Sequence, residues 1–157
     1  HDGKNEAARE AMMMGATLAG VAFSAASVAL VHGMSRPIGA HFHVPHGLSN
    51  AMLLPTVTEF SISGAELRYA RCAQAMGIAN EHDNVIIANK KLLQELKSLN
   101  QELQVPTLQQ YGIDKTSYLS KLELMAEQAQ ASGSPANNPR IPTIEEMVSI
   151  YQALWLD

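Results

Sequence analysis

The sequence of 157 residues predicts an all-α fold, a multi-helix bundle, and three observations carry that prediction. Aromatic residues are scarce (Trp 1, Tyr 4, Phe 3) and Ala, Leu and Met take their place, whereas a sheet sandwich would draw on Val, Ile, Thr and aromatics. Apolar residues recur at spacings of three or four, most plainly Val85, Ala88, Leu92, Leu96, Leu99 and Leu103, which form one stripe of an amphipathic helix. There is no βαβ alternation, no Gly-rich phosphate loop and no internal repeat, which argues against nucleotide binding by this chain alone.

The elements follow in order, about six or seven helices by periodicity and capping signals. His1 to Asn5 reads as a frayed or cut start. A first helix begins near Glu6, with Glu6 and Glu10 near its positive end, and runs into the twenties. Val21–Gly33 stays helix-compatible, and Pro37, Gly39 and Pro45 then predict mostly turn and loop from Ser35 to Pro45. Gly47 to Phe60 forms the next helix, Pro45 sitting near its first turn and Pro55 kinking or ending it. Ser63-Gly-Ala-Glu66 reads as a capping box that opens a helix closed by Gly77. The Leu-rich stripe comes next, then a connector from Pro106 to Gly112. A helix from about Thr116 to Ala131 leads to a turn-rich loop, Ser132 to Pro139. Thr143-Ile-Glu-Glu146 is a second capping box, and Ile144, Met147, Val148, Tyr151 and Leu154 face the core from the last helix.

Composition narrows the function classes. A hydrophobic share of 46% against 17% charged residues excludes a disordered chain, and the length fits one domain. Eleven basic residues dispersed among fifteen acidic ones, net −4, leave no basic footprint, so no nucleic-acid partner is expected. Cys72 is alone and cannot form an internal disulfide, which predicts a reducing cytoplasm, and it reads as a small core residue. Ala11 to Val31 carries no formal charge over 21 residues, long enough to span a bilayer. Its Gly15, Thr17, Gly20, Ser24 and Ser27 make it only mildly hydrophobic and no basic stretch precedes it as in a signal peptide, so it reads instead as a helix buried in the bundle, with Met12–Met14 as core packing and no membrane partner.

The chemistry concentrates in one place. His32, His41, His43 and His46 fall within fifteen residues and beside helix breakers. Any one of them alone fits a hydrogen-bonded core histidine, but imidazole is the commonest nitrogen ligand for Zn, Fe, Ni and Cu, and such a site needs at least three converging protein ligands. Two geometries compete. His41, His43 and His46 form a local cluster, or His32 at the end of one helix faces His46 at the start of the next, a choice that anchors both on rigid elements. Spacing alone leaves both open.

The surrounding motifs are Ala8-Arg-Glu-Ala-Met12, Leu30-Val-His-Gly-Met-Ser-Arg-Pro-Ile-Gly-Ala40 and Pro45-His-Gly-Leu-Ser-Asn-Ala-Met-Leu-Leu-Pro55. With Arg71-Cys-Ala-Gln-Ala-Met-Gly77 and Asn137-Asn-Pro-Arg-Ile-Pro-Thr143, they closely resemble the iron-containing alcohol dehydrogenase family, over its C-terminal helical portion only. The pairing of Leu-Val-His-Gly with Pro-His-Gly fourteen positions on is the most specific feature. The resemblance implies a two-domain enzyme that interconverts an alcohol with an aldehyde or ketone by hydride transfer. An N-terminal α/β domain, absent from this chain, binds NAD or NADP, and the metal, Fe2+ with Zn2+ as the alternative, lies between the domains. Of four usual ligands, the last two map onto His32 and His46; the upstream Asp and His have no counterpart here, His1 and Asp2 being in the wrong order. No residue of this chain is thereby assigned as catalytic.

Other positions follow from the same resemblance. Phe23 matches an aromatic that lines the substrate cleft, and equally suits a core. Arg36 stands where many relatives carry a third histidine; an arginine stays charged and cannot relay a proton, which leaves contact with cofactor phosphate or ribose. His41 and His43 face the cleft or serve structure. The expected partners are a small alcohol or aldehyde, the N-terminal domain of the same protein and a second copy in a homo-oligomer, the fragment alone being inactive. The alternatives are a zinc domain like those of glycerol dehydrogenase and dehydroquinate synthase, or a non-catalytic helical module that binds metal or a partner.

Overall fold

The computed structural model describes residues 2–156, so His1, part of the expected frayed start, lies outside the described residues. Among these the fold is all-helical, as predicted, with α1 (Glu6–Ala26), α2 (Leu30–Phe42), α3 (His46–Ile62), α4 (Glu66–Ala75), α5 (Val85–Glu102), α6 (Lys115–Leu119), α7 (Leu122–Ala131) and α8 (Ile144–Leu156), and a 3-10 turn at Ser134–Asn137.

α2 is the hub. It packs on α3, α7 and the 3-10 turn, while α8 closes over α3 and α7. Leu30, Met34 and Ile38, four apart on one face of α2, are fully buried beside Leu53, Leu108, Met125 and Met147. That face is why the expected loop from Ser35 to Pro45 is instead helix as far as Phe42. Pro37 withholds one backbone N–H and crowds the carbonyl four residues back, a cost of about 3 kcal/mol or more. Burial of three large side chains, worth about 1.5–3 kcal/mol each, outweighs it. The same holds for Pro55, which sits buried inside a continuous α3 between Leu53 and Val57.

Two tyrosines staple the bundle. The fully buried Tyr118 hydroxyl donates to the carbonyl of Tyr151 at 2.9 Å, and the Tyr151 hydroxyl donates onward to the carbonyl of Met34 at 2.7 Å. Burial pushes both phenols far above the usual tyrosine range, so they stay protonated donors. α5 is tied to α3 by the Asn100 amide, which donates to the carbonyl of Ala51 at 2.8 Å. α4 and α5 share a smaller cluster of Ala70, Ala73, Ala79, Ala88, Leu92 and Leu96. Leu99 and Leu103 extend the predicted stripe but remain exposed.

Local signals met different fates. The Thr143 box forms as expected, the hydroxyl accepting from the Glu146 N–H at 3.2 Å and the Glu146 carboxylate accepting from the Thr143 N–H at 2.9 Å. The Ser63 box does not form: α3 runs on to Ile62, Ser63 becomes its C-cap, and the N-cap of α4 is Ala65 without a side-chain bond. Gly77 does close α4, at φ 72°. The helix expected from Thr116 to Ala131 is split into α6 and α7 at Ser120 and Lys121.

α1 overturns two expectations. It buries no residue: Met12 and Met13 are 74% and 70% exposed, and Phe23 is 54% exposed. The helix is therefore neither the centre of this bundle nor are its methionines core. It leaves α2 at an angle of 106°, after Ser27 turns the chain at φ 65°. No single helix among the described residues is long and apolar enough to cross a membrane. Cys72 is likewise exposed rather than a core residue.

Candidate metal centre

The two histidines of the paired motif meet. His32 lies in the first turn of α2, not at the end of a helix as expected, because the helix breaks after Ala26 and restarts at Leu30. His46 is the first residue of α3, so one imidazole hangs from each helix start. Residues 43–45 form the corner between the helices. His43 adopts the left-handed conformation (φ 56°) as the C-cap of α2, its N–H returning to the carbonyl of Gly39 at 3.0 Å. The Tyr111 hydroxyl donates to the His43 carbonyl at 3.1 Å, and Val44 buries its side chain in the main core. Gly39 keeps the corner tight: a Cβ there would stand 3.2 Å from the Val44 carbonyl oxygen. The outcome is two ring centroids 5.1 Å apart, with planes inclined by 51°.

Both rings turn Nε2 toward the side chain of Asn50, one turn beyond His46 on α3. The amide nitrogen lies 3.1 Å from His46 Nε2 and 3.5 Å from His32 Nε2. Sequence reasoning gave Asn50 no role, although its spacing of four from His46 on one helix was a usable signal. Burial, then the nearby His46 and Arg36, hold the His32 imidazole below its ordinary range. A neutral ring is what a metal requires.

The remaining histidines separate from this pair. His41 belongs to the last turn of α2, and its Nε2 meets Gln128 Oε1 of α7 at 2.9 Å. His43 is exposed and serves the corner through its backbone. Arg36, exposed on α2, donates to the Ser134 hydroxyl at 3.3 Å, toward the 3-10 turn. Phe23 stands on the uncovered α1. Among the described residues no group of three or more His, Cys, Asp and Glu is placed to hold a metal ion. Two imidazoles with converging nitrogens suit Fe2+ or Zn2+ as one side of a coordination shell, and a further carboxylate and imidazole would complete it. A cleft of about 310 Å3 lined by Met52, Pro55, Asn100, Val105 and Leu154 contains neither histidine.

Comparison with known proteins extends these observations. Residues 1–155 match the family described as Fe-containing alcohol dehydrogenase family, C-terminal. The chain is 35% identical over 156 residues to the NADPH-dependent butanol dehydrogenase of Clostridium saccharobutylicum, a match that takes in 99% of this chain and 39% of that protein. It is 32% identical over 149 residues to the lactaldehyde reductase of Escherichia coli (strain K12), covering 94% of this chain and 38% of the relative. Among solved structures, 1,3-propanediol oxidoreductase superposes with a TM-score of 0.90 at 29% identity over 97% of this chain and 39% of its own. An alcohol dehydrogenase from Oenococcus oeni gives 0.89 at 30% identity, over 98% of this chain and 39% of that one. The chain thus spans about two fifths of the length of these relatives.

Proposed function

The chain belongs to the iron-containing alcohol dehydrogenase family, as its C-terminal helical part, and from that premise we propose that it supplies half of the metal centre of an NAD(P)-dependent alcohol dehydrogenase. The observation that carries the proposal is the His32–His46 pair: two imidazoles on the starts of two packed helices, 5.1 Å apart, with both Nε2 atoms facing one point. In this reading His32 and His46 hold Fe2+, or Zn2+, and the portion of the protein outside this chain contributes an Asp, a His and the NAD or NADP site. When bound, the metal supplies Lewis-acid polarisation of the substrate oxygen, and the dinucleotide accepts or supplies the hydride.

The work of this chain is positioning. Tyr111, Val44 and Gly39 fix the corner that sets the ring separation. Arg36, four residues after His32 and anchored on Ser134, keeps a fixed positive charge near the rings for a phosphate or ribose of the dinucleotide. His41 and His43 are left to structure. α1 offers the surface for the rest of the protein, since relatives more than twice as long superpose on nearly this whole chain and its Met12, Met13, Leu18 and Phe23 are otherwise uncovered. Phe23 then lines the cleft between the two parts. The substrate is a small alcohol or aldehyde, the relatives being butanol dehydrogenase, lactaldehyde reductase and propanediol oxidoreductase. A homo-oligomer in the cytoplasm completes the proposal.

The test is metal content together with NAD(P)H-coupled alcohol oxidation in the full-length protein. His32→Ala or His46→Ala is expected to abolish turnover through loss of bound metal, and this chain alone is expected to give no alcohol-dependent signal. Normal metal content and rate in His32→Ala would remove the assignment.

A further inference from the structure

The side chain of Asn50 lies where a cation held by both rings would crowd it. Its Nδ2 carries two hydrogens, and the groups before it are His46 Nε2 at 3.1 Å and His32 Nε2 at 3.5 Å. With the amide nitrogen turned to the rings it can only donate, and in that arrangement both ring nitrogens act as acceptors with each ring's proton on Nδ1. That is the tautomer in which Nε2 keeps a free lone pair, as a metal ligand must. A cation bound to imidazole sits about 2.0–2.1 Å from nitrogen, closer to both rings than the amide nitrogen at 3.1 Å and 3.5 Å. At its other end, Asn50 Oδ1 is buried without any hydrogen-bond partner. No bond at the oxygen end holds the amide, and turning it away from the rings breaks nothing there.

We propose that Asn50 is a displaceable stand-in for the metal: without metal its amide bridges His32 and His46, and it surrenders both bonds when the cation enters. The proposal rests on the reading of these two histidines as ligands. A ring nitrogen has one lone pair and cannot serve Asn50 and a cation together. The bridge therefore stabilises the metal-free protein alone, and by linkage it opposes loading. Its role is to keep two neutral rings converged and correctly protonated in the empty centre. Removing it has a signature opposite to that of a residue supporting the loaded centre, whose loss weakens metal affinity about 10–100-fold.

The experiment uses the full-length protein stripped of metal by a chelator. Nitrogen-15 NMR of the histidine rings, at a pH where both are neutral, is expected to show bare Nε2 and protonated Nδ1 on His32 and His46; an Nε2–H on either ring overturns the proposal. Cobalt(II) is then titrated by its visible absorption. Asn50→Ala is expected to lower the thermal midpoint of the metal-free protein and to tighten the Co2+ Kd by about threefold to tenfold, the scale of the lost hydrogen bonding. An unchanged or weakened Kd overturns the proposal, and if Asn50→Ala fails to fold, the NMR of the unaltered protein decides. His32→Ala separates the two failures: Co2+ bound there at normal affinity overturns the ligand reading and the stand-in with it, whereas loss of Co2+ binding leaves the stand-in to be judged by Asn50→Ala and the ring tautomers.

Discussion

The hydroxyl of Tyr151 donates to the main-chain carbonyl of Met34 at 2.7 Å, two residues beyond His32, and so joins α8 to α2 across 117 positions of sequence. Tyr118 bonds in turn to the carbonyl of Tyr151, so three helices share one chain of buried hydrogen bonds. The element that carries His32 is thereby braced from the far end of the sequence.

Tyr151→Phe tests that brace. The ring keeps its packing and only the hydroxyl goes. A loss of about 1 kcal/mol is expected, seen as a lower urea midpoint with an unchanged slope. Tyr118→Phe should cost a similar amount, and the double variant less than the sum if the bonds reinforce each other.

Gly64 is a second point of strain-free closeness. A Cβ there would lie 2.5 Å from the carbonyl carbon and oxygen of Pro139 and 2.6 Å from the Arg140 nitrogen, all of them backbone. Gly64→Ala is expected to destabilise by about 1–3 kcal/mol or more, because the backbone has to move to admit the methyl. Gly47→Ala, with open space around its Cβ position, is the control and should be close to neutral. Thermal unfolding of the two variants gives the comparison.

The pH response of the histidine pair follows from His32. Its imidazole is held below 6.5, first by burial, then by His46 and Arg36. The unfolded chain therefore binds its proton at higher pH than the folded one. Stability associated with the neutral ring is fully present above about 6.5 and is lost as pH falls through the depressed folded value. Proton NMR titration of metal-free protein should place the His32 midpoint below that of an unfolded reference, and His32→Gln should flatten the dependence of unfolding free energy on pH in that window. A midpoint at or above 6.5 would contradict the direction.

Separated from the rest of the protein, this chain should self-associate through α1. Met12, Met13, Met14, Leu18, Val21 and Phe23 are all largely exposed on that helix, and exposed apolar surface on this scale drives association. Sedimentation of the chain alone should show concentration-dependent oligomers. Replacing Met13 and Leu18 by Lys should shift it toward monomer, while the same changes in the full-length protein should weaken the joining of its two parts.

Much of this was legible in the residues, and the failures have physical causes. The stripe Ala88-Leu92-Leu96 and the Thr143 box form as the sequence predicts because they depend on local periodicity and capping alone. Pro37 and Gly39 are strong local breakers, and on their own they predict mostly turn and loop from Ser35 to Pro45. The face formed by Leu30, Met34 and Ile38 outweighs them only through its burial against α3, α7 and α8. Composition predicts a buried α1, and composition does not say against what. At the centre, the paired motif pointed to His32 and His46, and the structure brings those rings together. Asn50 escaped notice because an asparagine one turn past a histidine looks like any polar residue until the second ring arrives from another helix.

The corner at residues 43–45 carries a last consequence. One residue more or fewer there changes the reach of the chain by about 3.5 Å, nearly twice the length of a bond between an imidazole and an ion. The spacer works as a gauge whose size, and not merely whose chemistry, is under constraint. Another residue in place of His43 or Pro45 keeps the gap, but an insertion or deletion would leave two intact histidines whose rings no longer meet.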